Sequence, residues 1–280
     1  MLRTQSARVL DARDMAEVRA LLDQDPVVDV FVASRLEAAG LDPWRLGAEM
    51  WGYGERGRLE SVCYSGPNLV PVNASHDALK AFAERARRQG RRCSSIVGPA
   101  ALVRPFWQLL EPHWGPPRER RLCQPLMAID GPPLVEPDPA VRVVRPEELD
   151  VLLPACIEMF TEEVGVSPLA ADGGSLYRAR VQELIEQELA WARIEDGKVL
   201  FKAEVGCFTD KACQVQGVWV HPSLRGLGLG TSGTAAIVDH ARASVAPVVS
   251  LYVNDFNQAA RRSYAKVGFR EVGTFASILF

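Results

Sequence analysis

A glycine-rich loop is the stretch of this sequence whose residue types most clearly suggest chemistry. The segment VHPSLRGLGLGTSG begins at Val220 and places glycines at 226, 228 and 230, directly behind Arg225. VWVHP predicts the end of a strand, and a helix is expected from about Leu229 to Ser244. A helix start offers unpaired N–H groups and a positive dipole end, glycines let an anion approach the backbone, and arginine adds charged donors. The loop is therefore predicted to bind a phosphate or pyrophosphate.

Two common nucleotide-binding patterns do not fit this loop. Gly230-Thr231-Ser232 lacks the lysine of the Gly-Lys-Ser/Thr ending, which disfavours an ATPase. The glycine spacing is G-x-G-x-G, not the G-x-G-x-x-G of dinucleotide-binding proteins. The loop also follows predicted antiparallel strands, whereas the dinucleotide motif opens a βαβ unit.

The loop resembles the R/Q-x-x-G-x-G/A motif of the GCN5-related N-acetyltransferase (GNAT) superfamily. A second signature of that family, an Asn, an Ala, a Tyr and a Gly-Phe pair, is similar to LYVNDFNQAARRSYAKVGF, which follows in the expected order. The resemblance covers residues 141–280. Residues 1–130 share only the order of elements, and they resemble an N-terminal domain found fused to such acetyltransferases in actinobacteria. We therefore interpret them as a degenerate GNAT-like copy.

The resemblance implies that acetyl-CoA is the co-substrate. In the family, the loop binds the pyrophosphate, and pantetheine lies in a V-shaped split, here between the strands 213–220 and 247–253. Pantetheine would bond the backbone of Trp219 and its neighbours as an added strand does. The implied cofactor-binding residues are Val218, Trp219, Val220, Arg225, Gly226, Leu227, Gly228, Leu229, Gly230, Thr231 and Asn257.

The resemblance also implies direct attack of an amine on the thioester, with two proton transfers. Tyr264 matches the family position of the acid that protonates the departing thiolate; packing against the loop is the alternative. Several family members carry a Glu on the strand before the loop, but CQVQGVWV has only glutamines. Glu204 on the neighbouring strand is the candidate base. The alternatives are that Glu204 is a paired surface residue, or that the amine loses its proton through water. His221 is interpreted as a strand-end residue rather than a base.

The segment FTEEVGVSP lies where the fold usually covers the acceptor. Glu162 and Glu163 are candidate substrate-binding residues that could receive a cationic amine, although two solvated helix carboxylates are an alternative. The expected activity is that of an N-acetyltransferase, an acyltransferase acting on a primary amine of a small molecule or peptide. The alternatives are a non-catalytic acetyl-CoA-binding regulatory module and a tandem enzyme similar to mycothiol synthase.

The elements that must position these residues form two similar halves. ARVLDARDMAEVRALL and VRVVRPEELDVLLPAC each predict a short strand followed by an acidic helix start, which favours duplication of one αβ unit. Between the halves, DGPPLVEPDPA predicts an extended linker. We expect an α/β fold of tandem GNAT-like domains at 1–130 and 141–280, joined by the linker 131–140. Each domain should hold a mostly antiparallel mixed sheet flanked by helices.

Several local patterns predict individual elements. In the first half, successive antiparallel strands are expected from turns at Gly and Gly-Pro, and HDALKAFAERARRQG predicts a helix with one apolar face that stops at Gly90. In the second half, Asp196-Gly197 predicts a hairpin turn, and Glu204 alternates with Phe201 and so faces the other side of its strand. NQAARRSYAKVGF predicts a helix that ends at Gly268, and FREVGTF and ASILF are expected to close the sheet.

Composition limits the partners and the compartment. The chain has 280 residues, 48% of them hydrophobic, and a net charge of -3, which favours neither nucleic acid nor an anionic membrane. The basic run RARRQGRR lacks stacking aromatics, so it predicts a solvated helix face. Six cysteines without a C-x-x-C pair and four scattered histidines disfavour a zinc site, so no metal is expected, and no signal segment is evident. We expect a cytoplasmic monomer or homodimer.

Overall fold

The chain divides by its contacts into two compact units. The computed structural model describes residues 6–170 and 173–280. Unit 1 is the described chain up to Leu126 with Tyr252–Phe256 and Glu271–Phe280, and unit 2 is the described part of Met127–Leu251 with Asn257–Arg270. In chain order the helices and strands are β1 (Arg8–Val9), α1 (Met15–Leu22), α2 (Val30–Ala39), α3 (Pro43–Leu46), β2 (Glu49–Glu55), β3 (Arg58–Ser65), β4 (Asn68–Val72), α4 (His76–Gln89), β5 (Ser95–Pro99), α5 (Ala100–Trp114), β6 (Glu119–Ile129), β7 (Arg142–Val143), α6 (Leu149–Val164), α7 (Ser175–Glu186), β8 (Ala190–Glu195), β9 (Lys198–Phe208), β10 (Ala212–Val220), α8 (Leu229–Ser244), β11 (Val248–Tyr252), α9 (Gln258–Val267) and β12 (Arg270–Leu279).

Unit 1 is a mixed sheet with the strand order β1-β2-β3-β4-β5-β12-β6. The pairs from β1 to β4 are antiparallel, as the turn-rich sequence predicts, and β4 runs parallel to β5. Helix α4 begins after Ser75, which caps it, and ends at Gly90. Its predicted apolar face is buried against the sheet core, where α5 also packs.

The last strand differs from the sequence expectation. FREVGTF and ASILF were expected to close the second half as separate segments, but β12 is one strand and its end pairs antiparallel with β5 over Phe275–Leu279. Both edges of β12 are paired, which suits its buried stretch Phe275–Ile278. Its neighbour β6 was not predicted at all. Both strands find partners far away in sequence, so local periodicity does not show where they pair.

The strands of unit 2 lie in the order β11-β10-β9-β8-β7 and are also of mixed direction. Strands β7 to β10 are antiparallel, and β10 runs parallel to β11. The predicted hairpin turn joins β8 to β9, with positive φ at Asp196 (47°) and Gly197 (71°). Helix α8 covers the face of β9 that carries Phe201, because a Cβ on Gly233 would lie 2.7 Å from that ring. The mixed sheets flanked by helices confirm the predicted fold class.

The proline-rich segment after β6 is attached to unit 2. The amide of Leu134 donates to the carbonyl of Val267, and the amide of Asp138 donates to the carbonyl of Ser232 in α8. The buried carboxylate of Asp138 also accepts from Arg193 at 2.9 Å. The prolines keep this chain extended, as the sequence predicts, but the amides of Leu134 and Asp138 donate to carbonyls of unit 2, so the segment is not a free spacer.

Across the described ranges, every helix is too short or too polar to reach from one side of a membrane to the other.

Candidate active site

The predicted phosphate loop joins β10 to α8 within unit 2. A 3-10 turn at Pro222–Leu224 follows the strand, and α8 begins at Leu229 as the sequence predicts. Gly226 and Gly228 have φ of 80° and 93°, a conformation that favours glycine. A Cβ at either position would meet no atom within 4 Å. The glycines are therefore required by the backbone, and the space beside them is open.

The start of α8 leaves donors available for a ligand. Gly228 is the residue before the helix and provides no side-chain cap. The amides of Thr231 and Ser232 donate to the carbonyl of Gly228, at 2.9 and 3.1 Å. Within the described chain, the amides of Gly226–Gly230 donate no hydrogen bond. Unpaired amides at the positive end of a helix, beside open glycines, fit a phosphate-bearing ligand.

Arg225 connects this loop to the end of α6. Its Nη2 lies 2.8 and 3.0 Å from the two carboxylate oxygens of Glu162, and its Nε donates to the carbonyl of Val220. The two side chains of the ion pair are about half exposed, at 47% and 50%. Glu162, predicted to bind the acceptor, therefore contacts the arginine of the phosphate loop.

Strands β10 and β11 separate along their length. Their parallel pairing runs from Ala212↔Val248 to Gln214↔Ser250 and, in the described residues, extends no further. The amide of His221 donates to Leu200 of β9, so strand alternation also turns the backbone of Trp219 toward β9. Val218 and Val220 then present their backbone groups at the open edge. The split lies where the resemblance places it, but Trp219 itself faces the neighbouring strand.

A buried ion pair lies on β9 beside this open strand. The Nζ of Lys202 is 3.1 Å from Glu204, whose other oxygen accepts from the side chain of Gln216 at 3.1 Å. Lys202 and Glu204 are only 1% and 8% exposed. Glu204 lies on the face opposite Phe201, as predicted, but it is not a surface residue. Its two carboxylate oxygens already hold donors of this chain, which weakens the case for a base.

Tyr264 is buried on α9, next to the phosphate loop. The hydroxyl of Thr231 in α8 donates to that of Ser263, at 3.2 Å, and so ties α9 to the loop. Burial, followed by the negative charge of Glu163, raises the pKa of Tyr264 well above its usual range. Burial, followed by the effects of Cys156, Glu204 and Glu163, also raises the pKa of Tyr177. The phenol of Tyr264 is therefore protonated at neutral pH, and Glu163 of α6 acts on it electrostatically.

Comparison with protein families agrees with this geometry. Residues 159–269 match the acetyltransferase (GNAT) family, and residues 48–152 match a domain of unknown function (DUF4081). A comparison with curated proteins gives no match.

Solved structures share the GNAT fold over the whole chain. A GCN5-related N-acetyltransferase from Sphaerobacter thermophilus is 16% identical, with 100% of this chain and 96% of that chain covered and a TM-score of 0.60. A GNAT-family acetyltransferase from Colwellia psychrerythraea is 13% identical, with 98% and 99% covered and a TM-score of 0.56. A tandem GNAT protein from the clavulanic acid biosynthesis pathway is 15% identical, with 98% of both chains covered and a TM-score of 0.53. At these identities the likeness concerns the fold.

Two polar residues of the GNAT signatures have structural roles. The side chain of Asn257 accepts from the amide of Ala260 at 3.1 Å and caps α9, which accounts for the Asn-to-Ala spacing. The Nδ1 of His221 contacts the hydroxyl and amide of Ser223, at 2.8 and 3.3 Å, and caps the 3-10 turn. His221 is thus a strand-end residue, as the sequence indicates.

Sequence reasoning missed three residues of unit 2 that surround Glu204. These are Lys202, Gln216 and Gly217, whose added Cβ would lie 2.8 Å from the Nζ of Lys202. The signal was a lysine two residues before a glutamate in an otherwise apolar strand. In the pleat, this spacing places both charges on one face.

Proposed function

We propose that unit 2 is an N-acetyltransferase that moves an acetyl group from acetyl-CoA to a primary amine by direct attack. The observation that carries the proposal is the uncapped start of α8, with open positive-φ glycines beside it. This anion site adjoins the strand β10 where β10 separates from β11. A phosphate site next to an unpaired strand edge suits a long ligand with a pyrophosphate at one end and amides along its length.

Acetyl-CoA supplies an activated thioester, and this chain's residues would bind and orient it. The amides of Gly226–Gly230 and the guanidinium of Arg225 would hold the pyrophosphate. The backbone groups of Val218 and Val220 would pair with pantetheine along the open edge of β10. Among the described residues, no strand pairs with the backbone of Val218 and Val220 on this edge of β10.

Tyr264 would donate its proton to the leaving sulfur. A thiolate, whose parent thiol has a pKa of about 8.5, takes a proton from a phenol only when the two are well placed. Burial keeps Tyr264 protonated until then. Because Lys202 and Gln216 occupy both oxygens of Glu204, we assign removal of the amine proton to water rather than to Glu204.

The acceptor would be a cationic amine of a small molecule or a peptide. Glu163 acts electrostatically on the buried Tyr264 and on the partly buried Tyr177, so its charge lies on the side of the proposed acid. Glu162 instead binds Arg225. We therefore assign attraction of the amine to Glu163. The described cysteines form no disulfide, which fits a reaction in the reducing cytoplasm.

The contacts of Glu204 with Lys202 and Gln216 also support a second candidate function. Without a carboxylate free to act from β9 or β10, unit 2 could bind acetyl-CoA and control a partner interaction without any transfer. A tandem enzyme acting on a sugar-linked amine, similar to mycothiol synthase, is a narrower form of the first proposal.

Release of CoA thiol in the presence of an amine panel separates these functions. The panel should include a polyamine, an amino sugar conjugate and a short peptide, with Gly228→Val as the inactive control. Amine-dependent release supports acetyl transfer, and Glu163→Gln should then raise KM for cationic amines more than it lowers kcat. Tight binding of acetyl-CoA with no release for any amine would favour the binding module.

A further inference from the structure

We propose that the buried Lys202–Glu204 pair is a positioning device that fixes a bulge in β10 and thereby decides which backbone groups face the acyl thioester. The proposal rests on the acetyltransferase function proposed above. It gives Glu204 a role other than that of a base and brings Lys202 into the mechanism.

The pair is enclosed, and its partners come from several elements. Lys202 contacts Glu204 on its own strand and Cys156 of α6, while Gln216 of β10 donates to Glu204. Burial, the largest single cause, lowers the pKa of Lys202, but the charge of Glu204, the contribution of Cys156 and the hydrogen bonds to both together exceed it, and the net pKa is raised. The lysine is therefore charged. A buried charge pair is a weak source of stability, and fixing one geometry is its better-supported use.

The backbone of β10 bulges directly over this pair. The register against β9 shifts between Gln216, which pairs with Glu204, and Trp219, which pairs with Lys202. Between them, Gly217 has a φ of 62°. A Cβ on Gly217 would lie 2.8 Å from the Nζ of Lys202 and 3.0 Å from the Cδ of Glu204. The chain at Gly217 thus rests on the charged pair, with no room for a side chain.

The bulge sets the direction of the strand's backbone groups beyond it. An extra residue in one strand shifts the alternation by one position, so groups that faced the neighbouring strand face away from it. With the bulge, Trp219 bonds β9, and Val218 and Val220 face the open edge. Without it, Val218 and Val220 would turn toward β9. The pair therefore controls which amides can donate to the thioester carbonyl.

The test compares binding of CoA and of acetyl-CoA, which differ only in the acetyl group. The main variant, Lys202→Met with Glu204→Gln, removes both charges together and leaves no buried charge alone. The matched control, Arg142→Met with Glu148→Gln, removes another carboxylate ion pair of unit 2 that does not touch β10. Calorimetry gives both affinities, and ¹³C NMR of acetyl-CoA labelled at the thioester carbonyl reports the hydrogen bond to that oxygen.

Wild type should bind acetyl-CoA about 2- to 10-fold more tightly than CoA, the effect of one hydrogen bond, and the bound carbonyl signal should move downfield. In the Lys202/Glu204 variant the preference and the downfield shift should disappear, and the affinity for CoA should fall as well, because Val218 and Val220 also pair with pantetheine. The control should keep all three values.

Several outcomes would overturn the inference. The first is a folded Lys202/Glu204 variant that still prefers acetyl-CoA to CoA and still shows the carbonyl shift. The second is a wild type that binds CoA and acetyl-CoA equally well. The third is a variant that loses the same factor of affinity for both ligands. If the double variant does not fold, Glu204→Gln and Gly217→Ala make the same comparison with the same readouts. Failure of wild type to bind CoA at all would instead reject the proposed function.

Discussion

The two units begin in the same way. In unit 1 Arg8 of β1 donates two hydrogen bonds to Asp14, six residues later, both at 2.8 Å. In unit 2 Arg142 of β7 donates two to Glu148, at the same separation, at 2.8 and 2.7 Å. Each carboxylate also accepts an amide three residues before it and so caps a 3-10 turn. This shared frame supports duplication of one αβ unit.

The units differ at the helix that follows their last meander strand. In unit 1 the short connection from β4 ends at Ser75, whose hydroxyl accepts from the amide of Ala78 and closes the start of α4. In unit 2 the longer glycine loop leaves the start of α8 without a side-chain cap. The same helix end thus serves stability in one unit and is available to a ligand in the other. Two copies of one fold can therefore differ in whether the same helix start is closed by a side chain or open to a ligand.

Breaking the open loop should have the largest effect. Gly228→Val places a branched side chain at a positive φ and into the open space beside the helix start. Loss of two charge-assisted hydrogen bonds to phosphate corresponds to about 100-fold or more in CoA affinity, measured by calorimetry. Gly90→Val carries the same backbone strain in unit 1 and should leave CoA affinity unchanged. Wild-type affinity in Gly228→Val would remove the loop from the site.

Removing one hydroxyl should slow the reaction without affecting binding. Tyr264→Phe keeps the ring, so acetyl-CoA affinity should hold, while the chemical step slows by about 10²–10⁴-fold, the usual share of a positioned general acid. The rate is measured as hydrolysis of acetyl-CoA or turnover of a surrogate polyamine. Tyr177→Phe, which removes the hydroxyl of a partly buried tyrosine, should change the rate little. Equal rates for Tyr264→Phe and wild type would exclude the acid role.

The shared frame should respond equally in both units. Asp14→Asn and Glu148→Gln each break a mostly buried ion pair and should cost about 2–3 kcal/mol of unfolding free energy, below the figure for fully buried pairs because the arginines are partly exposed. Urea unfolding at neutral pH measures the two losses. A large loss in only one unit would argue against equivalent frames.

The pH dependence of this frame has a definite sign. Hydrogen bonds from Arg8 and Arg142 hold the pKa values of Asp14 and Glu148 well below their usual range. Their contribution is therefore complete above the unfolded pKa of about 4 and is lost as pH falls below it. The Asn and Gln variants should lack this part of the acid dependence, which unfolding at pH 3 would show.

The smallest effect is expected at the pair that joins α6 to the loop. Glu162→Gln removes a carboxylate that competes with phosphate for Arg225. An exposed ion pair is worth about 0.2–1 kcal/mol, so CoA should bind about 1.5- to 5-fold more tightly. Glu158→Gln makes the same charge change on α6 without this contact. Weaker CoA binding in Glu162→Gln would show that Glu162 supports the loop instead.

The sequence predicted the features that depend on neighbouring residues. The Asp196-Gly197 turn, the bounds of α8 and the end of α9 at Gly268 are confirmed. Each rests on local chemistry, such as positive φ at a turn or a glycine beyond the last helical residue.

Features that depend on tertiary contacts were not predictable. Nothing local shows that β12 pairs with β5. Burial of Lys202 and Glu204 depends on α6 closing over β9, and a single strand cannot reveal it. The contact of Glu162 with Arg225 joins residues that are distant in sequence. The roles assigned to the site residues stay predictions.

The stoichiometry of CoA binding tests most directly whether only unit 2 carries the site. Calorimetric titration of the full chain should give one CoA per chain, and Gly228→Val should reduce this to none. Ser75→Gly opens the helix start of unit 1 and should still give one, because that unit has no arginine-glycine loop. A value of two for wild type, or of one for Gly228→Val with unchanged affinity, would contradict the account.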